Sequence, residues 1–140
     1  MTESNIQGLW EWMKACPLLS EYVVGVNFGT DDFDSAGVVE TSTDTIRTYI
    51  DGAKLRALHA SLYLGALSYS DMKRIETSAF FERLRAWFIR ASEAGDLPEL
   101  PEGRCAEEIS MGDAIPFEYE NEGQKCTYQM HIILEFTERI

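Results

Sequence analysis

Two spacings of apolar residues alternate along this chain, and they predict where it forms helices and where it forms strands. Helical spacing comes first, over roughly residues 4–15, where one face carries Ile6, Leu9, Trp10 and Met13. Ser4 is a suitable N-cap, and Pro17 closes the segment. The sequence therefore predicts an amphipathic helix in this region.

Trp12 lies off this apolar face, about 110° from its centre on a helical wheel. Aromatic side chains are enriched at protein interfaces, so this position predicts a contact with a partner. The alternative is that another element of the same chain covers the ring.

A second helix is predicted from its N-cap, Ser70-Asp71, to Ala94. Its apolar residues form two stripes that are rotated by about 120° from each other. The first stripe is Met72, Ile75 and Ala79, and the second is Phe80, Leu84, Trp87 and Ala91. A break near Thr77-Ser78 would align the two stripes, because either residue could cap a new helix.

Spacing of two residues, typical of strands, marks residues 21–29 and 36–40. Asp51-Gly52 is a turn signal, and it predicts a hairpin whose second strand runs from Lys54 to about Leu67. The even-numbered face of that strand is apolar and should face the core: Leu58, Ala60, Leu62, Leu64 and Ala66. Because Ala and Leu also favour helix, a buried helix is an alternative for this segment.

Three more strands are predicted after the long helix, at 105–111, at 115–119 and in a closing segment. The closing strand places alternate residues on one face: Cys126, Tyr128, Met130, Ile132, Leu134 and Phe136. Between helix and strands lies Gly95–Arg104, in which two prolines favour a stiff, extended strap.

This order of elements predicts an α+β fold over residues 1–140 as a single domain. The expected architecture is a mostly antiparallel sheet, on which an N-terminal helix and a long, broken central helix pack.

The net charge of the chain, −12, narrows the range of possible functions. Binding to a phosphate backbone requires clustered Lys and Arg, so we expect no direct sequence-specific contact with nucleic acid. Acids concentrate in two predicted loops, one with Asp31, Asp32 and Asp34 around Phe33, the other with Glu120, Asn121 and Glu122. A solvated loop is the ordinary explanation for each, and a docking site is the alternative. The first loop lacks the ligand spacing of a calcium site.

Candidate chemistry is sparse. His59 lies beside Ser61 on the second face of its strand, but no acid is placed in the sequence to orient the imidazole, so a surface or interfacial role is expected for His59. His131 is expected to face solvent or another subunit. No phosphate loop, metal-ligand cluster or nucleophile elbow is present, so we expect no cofactor, no bound metal and no enzymatic activity.

The cysteines and the hydropathy add two expectations. Cys16, Cys105 and Cys126 are widely spaced, which favours free thiols in a reducing compartment. No apolar run is long enough to cross a membrane and no signal peptide is evident, so no membrane partner is expected.

Several motifs keep an order that resembles a family of small proteins from long-tailed phages and prophages, the minor capsid or tail-completion proteins. They are Leu9–Leu18, Arg47–Gly52 with Arg56, the helix with Phe80-Phe81 and Trp87, the strap Gly95–Arg104, and Tyr128-Gln129 in the closing strand. The similarity covers nearly the whole chain.

The resemblance implies a tail terminator or head–tail joining protein, which caps the tail tube as a homo-oligomeric ring. The implied partners are further copies of the chain, the tail tube and head-completion proteins, in the virion and in the host cytoplasm during assembly. The candidate assembly contacts are Trp12, Asp31, Asp32, Phe33, Asp34, Glu120, Asn121 and Glu122. Two other classes are open: a small-molecule or peptide-binding module that uses the second face of the sheet, and an uncharacterised enzyme.

Overall fold

The computed structural model describes residues 4–19, 23–26, 35–67, 70–120 and 125–139. The described helices are α1 (Asn5–Lys14) and α2 (Asp71–Glu93), with a short 3₁₀ turn at Pro17–Leu19. The described strands are β1 (Val23–Val26), β2 (Ser35–Thr48), β3 (Lys54–Leu67), β4 (Arg104–Met111), β5 (Ile115–Glu120) and β6 (Lys125–Glu138).

The six described strands form one sheet in the order β1-β2-β3-β6-β4, and β5 pairs with β6 beyond the end of β4. Only β1 and β2 run parallel, and the other pairings are antiparallel. β3 and β6 form the centre, paired from Lys54 opposite Glu138 to Leu67 opposite Lys125. The predicted α+β fold with a mostly antiparallel sheet is confirmed.

The core lies on the sheet face that carries the even-numbered residues of β3 and β6. Buried side chains of both helices, of this face and of the strap join in one cluster, with Leu9, Leu62, Phe88, Leu100 and Leu134 among them. The alternative of a buried helix at 54–67 is wrong, because β3 pairs with a strand along each of its edges.

β2 is longer than the sequence pattern indicated. The predicted strand at 36–40 continues to Thr48, with register shifts between Glu40 and Ser42 and between Thr45 and Arg47. Most of its residues after Val39 are exposed. The apolar alternation that predicts a strand is therefore missing, and backbone pairing with β3 holds this part in place.

α2 is one continuous helix, so the predicted break near Thr77-Ser78 is wrong. The hydroxyl of Thr77 donates to the carbonyl of Lys73 at 2.9 Å and caps no new helix. No break is needed, because the first apolar stripe is outside the core: Met72 is 65 % exposed and Ile75 is 63 % exposed. The second half of the helix supplies the buried face, and Ser70 is the N-cap as predicted.

The strap begins where the sequence places it. The amide of Asp96 donates to the carbonyl of Ala91, and the amide of Gly95 donates to that of Ser92. Gly95 has a φ of 78°, the left-handed conformation that this Schellman-type ending requires. The strap then runs along α1, from Asp96 beside Trp12 to Arg104 beside Asn5, and Leu100 is buried in the core.

Candidate functional site

Most of the predicted assembly contacts lie outside the described residues. These are Asp31, Asp32, Phe33, Asp34, Asn121 and Glu122. Glu120 is the last residue of β5, where its backbone pairs with Lys125, and its side chain lies outside the described part. The role of all seven residues in assembly stays a prediction.

Trp12 is buried within the subunit. Its side chain is 9 % exposed, and the indole N–H donates to the carbonyl oxygen of Asp96 in the strap at 3.1 Å. The ring packs against Trp87 and Phe88 of α2, with centroids 4.9 and 5.0 Å away. Another element of the chain thus covers this ring, as the alternative explanation held. Its part in assembly stays a prediction.

Three side chains contact one another in turn on the sheet face opposite the helices, and we call them the histidine chain: Asp44, His59 and His131. The Oδ2 atom of Asp44 is 3.2 Å from Nε2 of His59, and Nδ1 of His59 is 3.1 Å from Nε2 of His131. Which of the two rings donates in the second contact depends on their tautomers.

An acid therefore does lie beside His59, contrary to the expectation from the sequence. Asp44 comes from β2, where it pairs with Ala57, two positions before His59 on the same face of β3. Only the strand register brings the two together. The sequence predicted a strand only at 36–40, so it did not predict that Asp44 lies in β2. The surface position of His131 is confirmed, because this side chain is exposed.

The histidine chain holds no nucleophile among the described residues. Asp44 and His131 occupy both ring nitrogens of His59. The hydroxyl of the buried Ser61 accepts instead from the side-chain amide of Gln129 at 3.1 Å. An adjacent base is one way to activate a nucleophile, and among the described residues neither histidine hydrogen-bonds a hydroxyl or thiol group.

Two acids face each other on the same side of the sheet. Glu108 of β4 pairs with Glu135 of β6. Partial burial and the neighbouring carboxylate of Glu108 raise the pKa of Glu135 above its ordinary value. The pair adds to the negative potential of this face.

A cleft of about 370 Å³ lies between α2 and the connection from β4 to β5. It is lined by Arg74, Ser78, Phe81, Glu82, Arg85, Asp113, Ala114, Tyr128 and Met130. Its guanidinium groups are bonded within the protein: Arg85 donates to the carbonyl of Met111 at 3.0 Å and to Asp113 at 2.8 Å, and Arg74 pairs with Asp71. A ligand there would compete with these carboxylates.

The described residues hold neither a metal-binding cluster nor a membrane-spanning helix. Within the described ranges, no three His, Cys, Asp or Glu side chains group closely enough to hold a metal ion. In that part of the chain no helix has the length and apolar character to cross a bilayer. The three cysteines are free thiols, as expected, and burial raises the pKa of Cys16.

Neither a protein-family model nor a curated protein sequence matches this chain. Its fold is similar to that of a chain from the virion of a native gene transfer agent particle, with a TM-score of 0.53. The match covers 96 % of this chain and 95 % of that chain, at 10 % sequence identity. At this identity the likeness concerns the fold.

Proposed function

We propose that this protein is a structural component of a phage or phage-like virion. In this proposal it is a tail terminator or head–tail joining subunit that caps the tail tube as a homo-oligomeric ring. The main support for this proposal is the similarity of fold to a chain of a gene transfer agent virion, because it extends over nearly the full length of both chains. Two chains that match end to end share a whole domain and not one recurring motif.

The sequence motifs support the same proposal independently. The Arg47–Gly52 turn, the strap and the aromatic face of α2 are parts of the resemblance to tail-completion proteins, and all three shape the described fold.

The proposed partners are further copies of this chain, the tail tube and head-completion proteins. The protein would act in the virion, after assembly in the host cytoplasm. The acidic segments 31–34 and 120–122 are the proposed contacts with these partners, since charged loops suit contacts that form during assembly.

Deletion of the gene from an inducible prophage that carries it tests this proposal. Electron microscopy of the lysate should show overlong tails for a terminator, or normal tails separated from filled heads for a joining protein. Supplying the wild-type gene in trans should restore complete particles. Normal virions from the deletion strain would contradict both roles.

The cleft beside α2 supports a second candidate, a module that binds a small molecule or a peptide. Its volume lies in the range of small-ligand sites, about 300–1,000 Å³. Its two guanidinium groups favour an acidic ligand. Thermal unfolding with short acidic peptides tests this: a rise in midpoint that Arg85→Met removes and Arg83→Met keeps would support a site, and no rise would contradict it.

A further inference from the structure

The far end of the β2–β3 hairpin presents apolar side chains to solvent. We define the hairpin end as residues 46–56, 102–104 and 137–139, which lie together because Lys54 and Arg104 both pair with Glu138 of β6. Ile46 is 49 % exposed, Tyr49 is 38 % exposed and Ile50 is fully exposed. Single exposed apolar residues are common on protein surfaces, but three within five positions form a patch.

The turn itself holds Ile50 outward. The amide of Tyr49 donates to the carbonyl of Ala53 at 2.8 Å, and the amide of Gly52 donates to that of Tyr49 at 3.0 Å. The side chain of Asp51 accepts from the amide of Ala53 at 3.0 Å, and Gly52 has a φ of 90°. Because these bonds fix the turn, an exposed isoleucine adds nothing to its stability. A partner that buried Ile50 would not have to order the backbone first.

The hairpin end is also basic, in a chain that is otherwise strongly acidic. It holds five of the twelve Lys and Arg residues and three of the 24 Asp and Glu residues. Arg56 hydrogen-bonds Glu138 at 2.9 Å and, with Arg104 and Lys54, lowers the pKa of that carboxyl. One carboxylate thus faces three cations, and a positive surplus remains beside the apolar patch.

We infer that the hairpin end is the arm by which one copy of this chain docks on an acidic surface of the next copy. This inference rests on the proposed ring and names one side of its contact. Outside the hairpin end the chain has a large excess of acids, so another copy supplies the complementary charge. Two hairpin ends would repel each other, which disfavours a direct contact of one hairpin end with the other. A head-to-tail contact of the hairpin end with the acidic surface avoids this repulsion, and such contacts close into rings when the rotation between copies permits.

A photo-crosslinking amino acid at position 50 tests the contact directly. In purified full-length protein it should yield covalent dimers whose crosslinked peptide lies outside the hairpin end, and the yield should fall as salt screens the charges. The matched control is the same amino acid at Met72, which is also well exposed but lies on α2. An absence of dimers, equal yields from both positions, or a link between two hairpin ends would overturn the inference.

Charge reversal tests how much the cations of the hairpin end contribute to self-association. Arg47→Glu with Lys54→Glu should weaken self-association by about tenfold or more in sedimentation, because attraction becomes repulsion. Arg83→Glu with Arg90→Glu, at exposed positions of α2, makes the same change in net charge and should leave self-association near the wild-type value. Far-UV circular dichroism checks that each variant is folded, and alanine at positions 47 and 54 replaces the reversal if that variant unfolds.

The outcomes separate this inference from the proposed function. Equal self-association of the hairpin and α2 variants, or a wild-type chain that stays monomeric and yields no crosslink, would overturn the hairpin contact and leave the deletion experiment to decide the function. Normal virions after deletion, together with crosslinks from position 50, would refute the proposed function and support self-association through the hairpin end.

Discussion

Glu138 is the single residue on which the charges of the hairpin end converge. The hydrogen bond from Arg56 and the nearby cations hold the pKa of its carboxyl below the ordinary value of 4.5. A lowered pKa in the folded state means that the carboxylate stabilises the fold above that ordinary value. The stabilisation is lost as the pH falls through the folded pKa.

Replacing Glu138 should therefore have a pH-dependent effect. At about pH 7, Glu138→Gln should lower the free energy of unfolding by about 1 kcal/mol or less, as expected for a partly exposed ion pair. As the pH falls through the folded pKa of Glu138, the two proteins should approach each other, because the wild-type protein then loses this charge. Urea denaturation at each pH measures the difference, with the exposed Glu102→Gln as control. A difference that is constant with pH would contradict this account.

The pair Glu108 and Glu135 should act in the opposite direction. The raised pKa of Glu135 means that stability falls as the pH rises through it, because the folded protein then holds a partly buried carboxylate next to a second charge. Either Glu135→Gln or Glu108→Gln should raise the free energy of unfolding near neutral pH by a few tenths of a kcal/mol. The double variant should gain less free energy of unfolding than the sum of the two single variants, since either single change already removes the repulsion. Additive gains would show that the carboxylates do not interact.

The strap and α1 meet at a point with no room for a side chain. A Cβ atom added to Gly8 would overlap the carbonyl oxygen of Glu99 and press on the side chain of Leu100. In a free helix, glycine to alanine is favourable by about 1 kcal/mol.

Gly8→Ala should nevertheless destabilise the protein, by about 1–3 kcal/mol, because overlap with a backbone atom forces the strap to move. Thermal or urea unfolding measures this change. Ala substitution of Glu11, exposed on the same helix, should change stability by less than about 0.5 kcal/mol. A stabilised Gly8→Ala variant would show that the strap yields freely.

α2 closes the outer edge of β4. The Ser92 hydroxyl accepts from the amide of Ile109 at 3.2 Å, and Arg85 donates to the carbonyl of Met111. Unpaired groups at a sheet edge can pair with other chains, and side chains of a covering helix prevent this.

Ser92→Ala should leave the amide of Ile109 without its acceptor. We expect a loss of about 1 kcal/mol in the free energy of unfolding and faster hydrogen exchange at this amide. Hydrogen exchange followed by NMR resolves the single site, and the exposed Ser110→Ala is the matched control. Unchanged protection at Ile109 would mean that another group satisfies it.

At the scale of the molecule, one core joins both helices, the strap and the sheet. Leu9, Leu62, Phe88, Leu100 and Ile109 belong to the same buried cluster, although they are far apart in sequence. A shared core predicts that residues 1–140 unfold as one domain.

Unfolding should therefore give a single transition. The three tryptophans lie on the helices, whereas the far-UV circular dichroism of the β-sheet reports the strands. Urea midpoints from fluorescence and from circular dichroism should coincide. A fluorescence change that precedes loss of the sheet signal would divide the chain into two units.

The predictable parts of the fold are those in which a local pattern is enough. The caps Ser4 and Ser70, the helix ending at Gly95 and the apolar faces of β3 and β6 follow from residue spacing and local backbone chemistry, and the structure has them as predicted. The exposed half of β2 escaped prediction, because its polar residues face solvent and only pairing with β3 makes it a strand.

The sequence by itself determined the fold class, the position of the strap and the excess of acids, since these depend on composition and on neighbours along the chain. Tertiary structure decided which distant residues meet, through the register of the paired strands and the packing of the helices. It buried Trp12 beneath the strap, kept α2 continuous by leaving its first turns outside the core, and aligned Asp44 with His59. It also gathered the cations of two separate segments, β3 and the start of β4, around Glu138 of β6, because paired strands place distant residues side by side.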